Sequence, residues 1–386
     1  MSAALASAPL SEPLPHTAAG MAPAALPMGR DDLFARLRPI IAADLAPQVH
    51  KIDHEGIYPE VAMRSFGQAG AFAAHVGAKP DLVTAIEAMT LAGEHCLSTA
   101  FCIWCQDALG WYLAQSQNAA PREALLGKVA QGQLLGGTGL SNPMKSFFGI
   151  ENLKLRGRRV KGGYEVSGGL PWVSNLGDDH LFGAVFELAD APQHRVMAVI
   201  DCSREDIVLR QSTHFLALEG TRTMAVNFRK AFIPDSMVLA EPVDGFIKRI
   251  RAGFILLQAG MAFGLIQGCI NLMRGTEKGL GHINRYLPEQ PAMFEDALAA
   301  MRATVHDLAV TPFETDPAYW RAVIEARLAA GEWSLKAAQA AMLHAGASGY
   351  IVGAPAQRRL RESYFVAIVT PATKQLRKML ADLDAK

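Results

Sequence analysis

The sequence predicts an α+β protein in three successive parts: helical, then antiparallel β, then helical again. Three observations carry this. From Asp31 to about Gln133, apolar residues recur at three-to-four spacing. From Leu134 to about Pro242, glycines are dense and short segments of period two follow one another without helices between them, which argues against a parallel βαβ core. Beyond that point, helical spacing returns and continues to the end. A chain of 386 residues is long for one hydrophobic core, so two or three core-bearing units are expected. The expected boundaries are a tail over 1–28, a helical domain over 29–134, a β domain over 135–243 and a helical domain over 244–386.

Each part follows from its residues. The segment 1–28 is rich in Ala and Pro, and its first charge is Glu12. It lacks the basic start of a secretory signal and reads as a disordered tail. "DDLFARLRPIIAADLA" opens on Asp31 and Asp32, as a helix N-terminus prefers. "DLVTAIEAMTLAGEHCLSTAFCIWCQDALGWYLAQSQ" continues as a long apolar helical stretch, and "PREALLGKVAQGQ" begins on Pro121 and stops at glycine. The strand candidates are "LKLRGRRV", "GYEVSG", "LFGAVFEL", "RVMAVIDC" and "MAVNFRKAFI", with a hairpin turn at "KGG", 161–163.

The last part begins with "AGFILLQAGMAFGLIQGCINLM", 252–273, which carries no charge and is long enough to span a bilayer. Gly260, Gly264 and Gly268 recur along it at a spacing that lets helices approach closely. Its Gln258, Gln267 and Asn271 are polar and no second span accompanies it, so it reads as a buried central helix with no membrane role. "EDALAAMRATVHDLAV", "DPAYWRAVIEARLAAGEWSLKAAQAAMLHAG" and "ESYFVAIVTPATKQLRKML" follow. The last is an amphipathic helix that Pro371 must end or kink, directly after Thr370.

Lys and Arg together number 37, as do Asp and Glu, so no net field attracts nucleic acid or an anionic membrane. Five cysteines, an odd number, predict reduced thiols and a cytoplasmic protein. "CIWC" at 102–105 lacks the second pair a zinc site needs and lies in an apolar helical run, so it reads as two buried thiols. His50 and His54 have metal-ligand spacing but no further ligand beside them, and no metal is expected. "GGTGLSNP", 136–143, lacks the lysine of a phosphate loop; it reads as a tight turn where backbone and hydroxyls approach a planar ligand. In "LPWVSN", 170–175, Trp172 is either core or, beside Ser174, a cover for one face of a bound ring.

These segments, taken in order, resemble the acyl-CoA dehydrogenase superfamily over nearly the whole chain from about residue 30. "HKIDHEGIYPEVAMRSFGQAGAF" is similar to the family's opening helical segment. "GTGLSNP" resembles "alTEP", with Ser141 at the hydroxyl position and Asn142 in place of Glu. "GGYEVSGGLPWVSN" resembles "dgyvlnGkKxWITN", with Trp172 and Ser174 on its Trp and Thr. "GTRTMAVNFRKAFIPDSMVLA" resembles a segment ending "V-x-V-P-x-x-n-v-L", and "GASGYIVGAPAQRRLRE" resembles "GGxGyxxeyPveRlxRD". The resemblance implies a C-terminal four-helix bundle, a homotetramer or homodimer, and a flavin, FAD with FMN as the alternative. Leu140, Ser141, Trp172 and Ser174 would line the flavin ring, while Gly346 and Gly349 would reach a neighbouring subunit's FAD.

Some positions depart from the pattern. Counting from Arg361, the family's catalytic glutamate falls on Thr370 and the glycine after it on Pro371. The base that a minority of members carry on the long helix falls on about Phe254. Neither residue takes a proton at neutral pH. The family's substrate-holding Arg aligns with about Ile255, with Arg249 and Arg251 close by. The "R-x-x-F-G" that meets the FAD pyrophosphate reads "KGLGHINRYL", with Lys278 or Arg285 as stand-ins. Phe254, Arg251 and Phe147 are the candidate substrate pocket. The expected function is a flavin-dependent oxidoreductase acting on CH–CH groups of a small acyl-type substrate with a non-standard base, Thr370 standing at the usual position of the catalytic glutamate. The alternatives are a monooxygenase of the same fold using reduced flavin from a reductase partner, and a catalytically silent flavin-binding or assembly protein. An electron-transfer partner accompanies the first.

Overall fold

The computed structural model describes residues 29–211 and 213–385; the expected tail over 1–28 lies outside them. The N-terminal part contains α1 (Arg30–Ile40), α2 (Val49–His54), α3 (Glu60–Ala69), α4 (Leu82–Gly93), α5 (Leu97–Gln115) and α6 (Ala119–Ala130). The long apolar stretch is therefore two helices, parted at residues 94–96. Asp81 caps α4 by accepting from the Thr84 backbone N–H at 2.9 Å. α5 is buried almost all round, which accounts for its apolar composition on every face.

The sheet strands are β1 (Gly136–Thr138), β2 (Leu155–Val160), β3 (Gly163–Val173), β4 (Leu181–Leu188), β5 (Arg195–Asp201), β6 (Ile207–Arg210), β7 (Met224–Pro234) and β8 (Val238–Ala240), with α7 (Ser141–Phe147) between the first two. Their order is β6-β7-β3-β2-β4-β5-β8, with β1 beside β4. The β2–β3 hairpin turns where "KGG" predicted, Val160 facing Gly163. Most pairs are antiparallel, as expected. β1–β4 and β2–β4 are parallel, so the sheet is mixed. The parallel pairs arise because other elements intervene before the chain reaches β4: α7, β2 and β3 after β1, and the β3 arm of the hairpin after β2.

The C-terminal part begins with α8 (Asp244–Leu257) and α9 (Ala259–Asn284), nearly one continuous rod interrupted at Gln258. Its most apolar window is 94% buried inside the protein, so this is a core helix. α10 (Pro291–Val310), α11 (Pro317–Ala345), α12 (Pro355–Ile368) and α13 (Thr373–Asp384) follow, and α8–α9, α10, α11 and α12 pack as a four-membered bundle with α13 against α11. The glycine stripe has a packing cause. A Cβ on Gly264 would stand 2.6 Å from the Gly93 Cα, and one on Gly260 2.7 Å from the Ile86 carbonyl oxygen. The stripe thus seats α4 directly on α9. Both helical parts share one hydrophobic core, and the sheet has its own.

Candidate functional site

The chain turns between α12 and α13 at residues 369–372, where Pro371 predicted a stop, and the Thr370–Pro371 peptide is cis. Thr370 is buried, and its hydroxyl shares a 2.9 Å hydrogen bond with that of Ser141, the first residue of α7. The position expected to carry a base and the one expected to contact flavin are thus neighbours, 229 residues apart in sequence. Thr370 is held from behind: Gln258, buried at the α8–α9 break, donates from Nε2 to the Thr370 carbonyl oxygen at 2.9 Å. Gln258 Oε1 in turn accepts from Arg327 Nε at 2.6 Å.

Hydroxyls gather at the neighbouring strand ends. Ser174 Oγ shares a 2.6 Å hydrogen bond with Thr223 Oγ1, which meets Thr221 Oγ1 at 2.8 Å. The Leu140 N–H donates to Thr138 Oγ1 at 3.3 Å, and that hydroxyl meets Tyr112 Oη at 2.8 Å. Trp172 is 55% exposed, set edge-to-face with Phe215 and near the sequence of the 69% exposed Leu216. Of the two readings of Trp172, core is excluded: its indole is largely exposed, two residues along the chain from Ser174. Apolar surface flanked by donors and acceptors is the surface a planar heterocycle requires, so these residues fit a flavin ring.

Two of the glycines before Ser141 are required by packing. A Cβ on Gly136 would come 2.1 Å from the Leu181 carbonyl oxygen, and one on Gly137 2.1 Å from that of Ser174. They admit β1 between two backbone segments. Gln106 on α5 fixes this strand by accepting from the Gly136 N–H at 2.8 Å.

The other candidates lie elsewhere. Phe254 is buried, edge-to-face with Trp104 at 5.0 Å and near Tyr112 at 6.3 Å, so aromatic side chains fill its surroundings. Arg251 lies 3.9 Å over the Trp320 ring, and its partial burial depresses its basicity. Phe147 is half-buried beneath the Arg195 guanidinium at 4.8 Å. A cleft of about 370 Å³ is lined by Pro80 and residues 310–314, and neither Thr370 nor Ser141 borders it. The substrate pocket expected from Phe254, Arg251 and Phe147 is therefore not assembled as one cavity: each of the three is engaged by a different neighbour.

Lys278 and Arg285 are exposed near the end of α9. At 1.5 Å per residue they stand roughly 30–40 Å along the rod from Gln258. Gly346, at φ 60°, opens the short helix that contains the buried Gly349, and Asn284 donates to the His344 carbonyl oxygen at 3.0 Å. These four residues thus form a second group, at the far end of the bundle from Ser141. Cys102 and Cys105 are buried on α5 and burial pushes both thiols up, consistent with inert packing. The His50 and His54 rings lie tilted by 31° with centroids 4.5 Å apart, beside Gly353.

Sequence reasoning missed Gln258 as a site residue, and Arg327, Thr223 and Tyr58 altogether. Tyr58 donates to Asn175 Oδ1 at 2.6 Å, and Asn175 donates to the Gly136 carbonyl oxygen at 2.6 Å, fixing the end of the Trp172 segment. The polar Gln258 inside an apolar run was the one signal that could have pointed to the Arg327–Thr370 connection.

The family model described as acyl-CoA dehydrogenase, N-terminal domain, matches residues 30–133. Benzylmalonyl-CoA dehydrogenase of Aromatoleum aromaticum is 24% identical over 365 residues, covering 91% of this chain and 95% of that protein. The structure of a glutaryl-coenzyme A dehydrogenase in complex with glutaryl-CoA superposes with a TM-score of 0.81 at 18% identity, over 92% of this chain and 95% of that one. PigA with FAD and proline superposes with a TM-score of 0.77 at 13% identity, over 92% of this chain and 97% of that one.

Proposed function

The chain belongs to the acyl-CoA dehydrogenase superfamily, and on that premise we propose that it is a flavin-dependent oxidoreductase, with FAD as its flavin, acting on a small acyl-type substrate without a carboxylate base at position 370. The observation that carries this is the Ser141–Thr370 hydrogen bond. It sets a hydroxyl where an acyl-CoA dehydrogenase would need a proton acceptor, and a hydroxyl with no activating base accepts no α-proton at neutral pH. Gln258 occupies the Thr370 carbonyl, and no carboxylate bonds to either hydroxyl among the described residues.

FAD, when bound, supplies the two-electron chemistry; this chain supplies the binding and the surroundings. Ser141 and Ser174 would meet the polar edge of the ring, with Leu140 beside them and Trp172 on one of its faces. Lys278, Arg285, Gly346 and Gly349 would serve the pyrophosphate end on a second copy, since one chain separates the two groups along the length of α9. The exposed Ile283, Tyr286, Leu343 and Tyr350 around that second group support assembly into a homodimer or homotetramer. Electrons would leave through an electron-transfer partner.

A second reading is favoured by Arg327, whose buried charge no acid neutralises. This is a monooxygenase using reduced flavin from a reductase, which needs no α-proton acceptor. Purification followed by flavin spectroscopy tests both. Anaerobic bleaching of the bound flavin by an acyl-CoA panel, undiminished in Thr370→Val, supports the first; tighter binding of reduced than oxidised FAD with no bleaching supports the second. A chain that holds flavin in neither redox state overturns both.

A further inference from the structure

Arg327 lies on α11, fully enclosed, and no acidic side chain pairs with it among the described residues. Its Nε donates to Gln258 Oε1 at 2.6 Å and its Nη2 to the Val366 carbonyl oxygen at 2.5 Å. The small void beside it, about 10 Å³, is otherwise lined by Ile255, Leu256, Ala259, Val305, Val323 and Ala326, which offer no counter-charge. Burial depresses its basicity to about 10, which still leaves it charged at neutral pH. An unpaired buried cation is expensive, and its nearest outlet is the relay through Gln258 to Thr370 and Ser141.

We infer that Arg327 is a positioning residue that makes the Ser141–Thr370 end of the site selective for a negatively charged ring, so that it holds reduced FAD in preference to oxidised FAD. This rests on the flavin reading above. Two consequences of the geometry support it. The relay fixes the Thr370 carbonyl and so holds the hydroxyl against Ser141. It also places one uncompensated positive charge a single glutamine side chain from that pair, in a low-dielectric interior. On reduction the neutral ring takes up two electrons and one proton, with dithionite as the reductant, and carries one negative charge. The relay stabilises only that product.

The test is the two-electron midpoint potential of bound FAD, measured by dye equilibration during reductive titration, beside the dissociation constants of oxidised and reduced FAD. In Arg327→Gln the preference for reduced FAD should fall about tenfold, a midpoint about 30 mV more negative for a two-electron couple. Arg327→Lys keeps the charge and should stay close to wild type. Should Arg327→Gln fail to fold, Gln258→Glu decides: it keeps an acceptor for Arg327 and neutralises its charge in place, at the loss of the Nε2 donor to the Thr370 carbonyl, and should shift the potential in the same direction. Flavin bound with unchanged potential in folded Arg327→Gln or Gln258→Glu overturns the inference. Wild-type protein without flavin in either state overturns the flavin reading and this inference with it.

Discussion

Tyr58 and Asn175, 117 residues apart, join the helical N-terminal part to the strand end that carries Trp172 and Ser174, through a buried 2.6 Å hydrogen bond. Asn175 sits at φ 63°, a left-handed conformation that asparagine tolerates better than most residues. Its amide spans Tyr58 on one side and the Gly136 carbonyl on the other. Tyr58→Phe removes the donor and leaves a buried acceptor without a partner. It should cost about 1–3 kcal/mol in urea unfolding. A double-mutant cycle with Asn175→Ala should show coupling; strictly additive losses would mean that the two do not act together.

The glycine stripe yields a second prediction. Gly264 meets Gly93 backbone-to-backbone, so even a methyl group at 264 would collide with main chain that cannot swing aside. Gly264→Ala should destabilise by about 1–3 kcal/mol through overpacking, although alanine is the better helix former. At exposed Gly275 on the same helix, where a Cβ meets nothing, Gly→Ala should instead stabilise by a few tenths to about 1 kcal/mol. Thermal melts of the two variants with opposite signs check this. A Gly264→Ala protein as stable as wild type would show that α4 and α9 do not touch there.

The hydroxyl assignments are tested by flavin affinity. Ser141→Ala and Ser174→Ala each remove one hydroxyl from the candidate ring site and should weaken FAD binding about tenfold, the worth of one hydrogen bond. Fluorescence titration of FAD reads the change. Unchanged affinity in both variants removes the ring site from this end of the molecule.

How much of this was legible in the sequence depends on the range of the interaction. The helix–sheet–helix order, the 161–162 hairpin and the stop at Pro371 are set by period, turn residues and backbone chemistry within a few positions, and they appear where the sequence put them. The short strands β1, β6 and β8 did not show, because three or four residues are too few to display a period. The glycines at 136 and 137 were visible, but their packing cause lay in backbone over 35 residues away in sequence. Arg327 was unreadable for the same reason: on its own helix it looks like a surface charge, and only tertiary packing brings it to Gln258.

The last prediction concerns acid stability and a buried pair that takes no part in the candidate flavin site. His75 and Asp107 are both buried, with His75 Nδ1 3.9 Å from Asp107 Oδ1 and His75 Nε2 donating to the Asp107 carbonyl oxygen at 2.8 Å. Both Asp107 carboxyl oxygens lack hydrogen-bond partners. Burial lowers His75 from 6.5 to about 4 and holds Asp107 well above the usual carboxylate range, so both are neutral in the folded protein near pH 5. Between pH 6.5 and about 4 the unfolded chain binds one more proton than the folded one at His75, so this group makes stability fall with acidification. At Asp107 the folded chain holds the proton that the unfolded chain has lost above about pH 4, so this group makes stability rise with acidification. The two slopes oppose each other across that window. Asp107→Asn removes one of them: it should raise stability near pH 7 and expose the His75 slope, about 1.4 kcal/mol per pH unit. Urea midpoints of wild type and Asp107→Asn at several pH values between 4 and 7 measure this directly; parallel curves would show that Asp107 does not stay protonated in the fold.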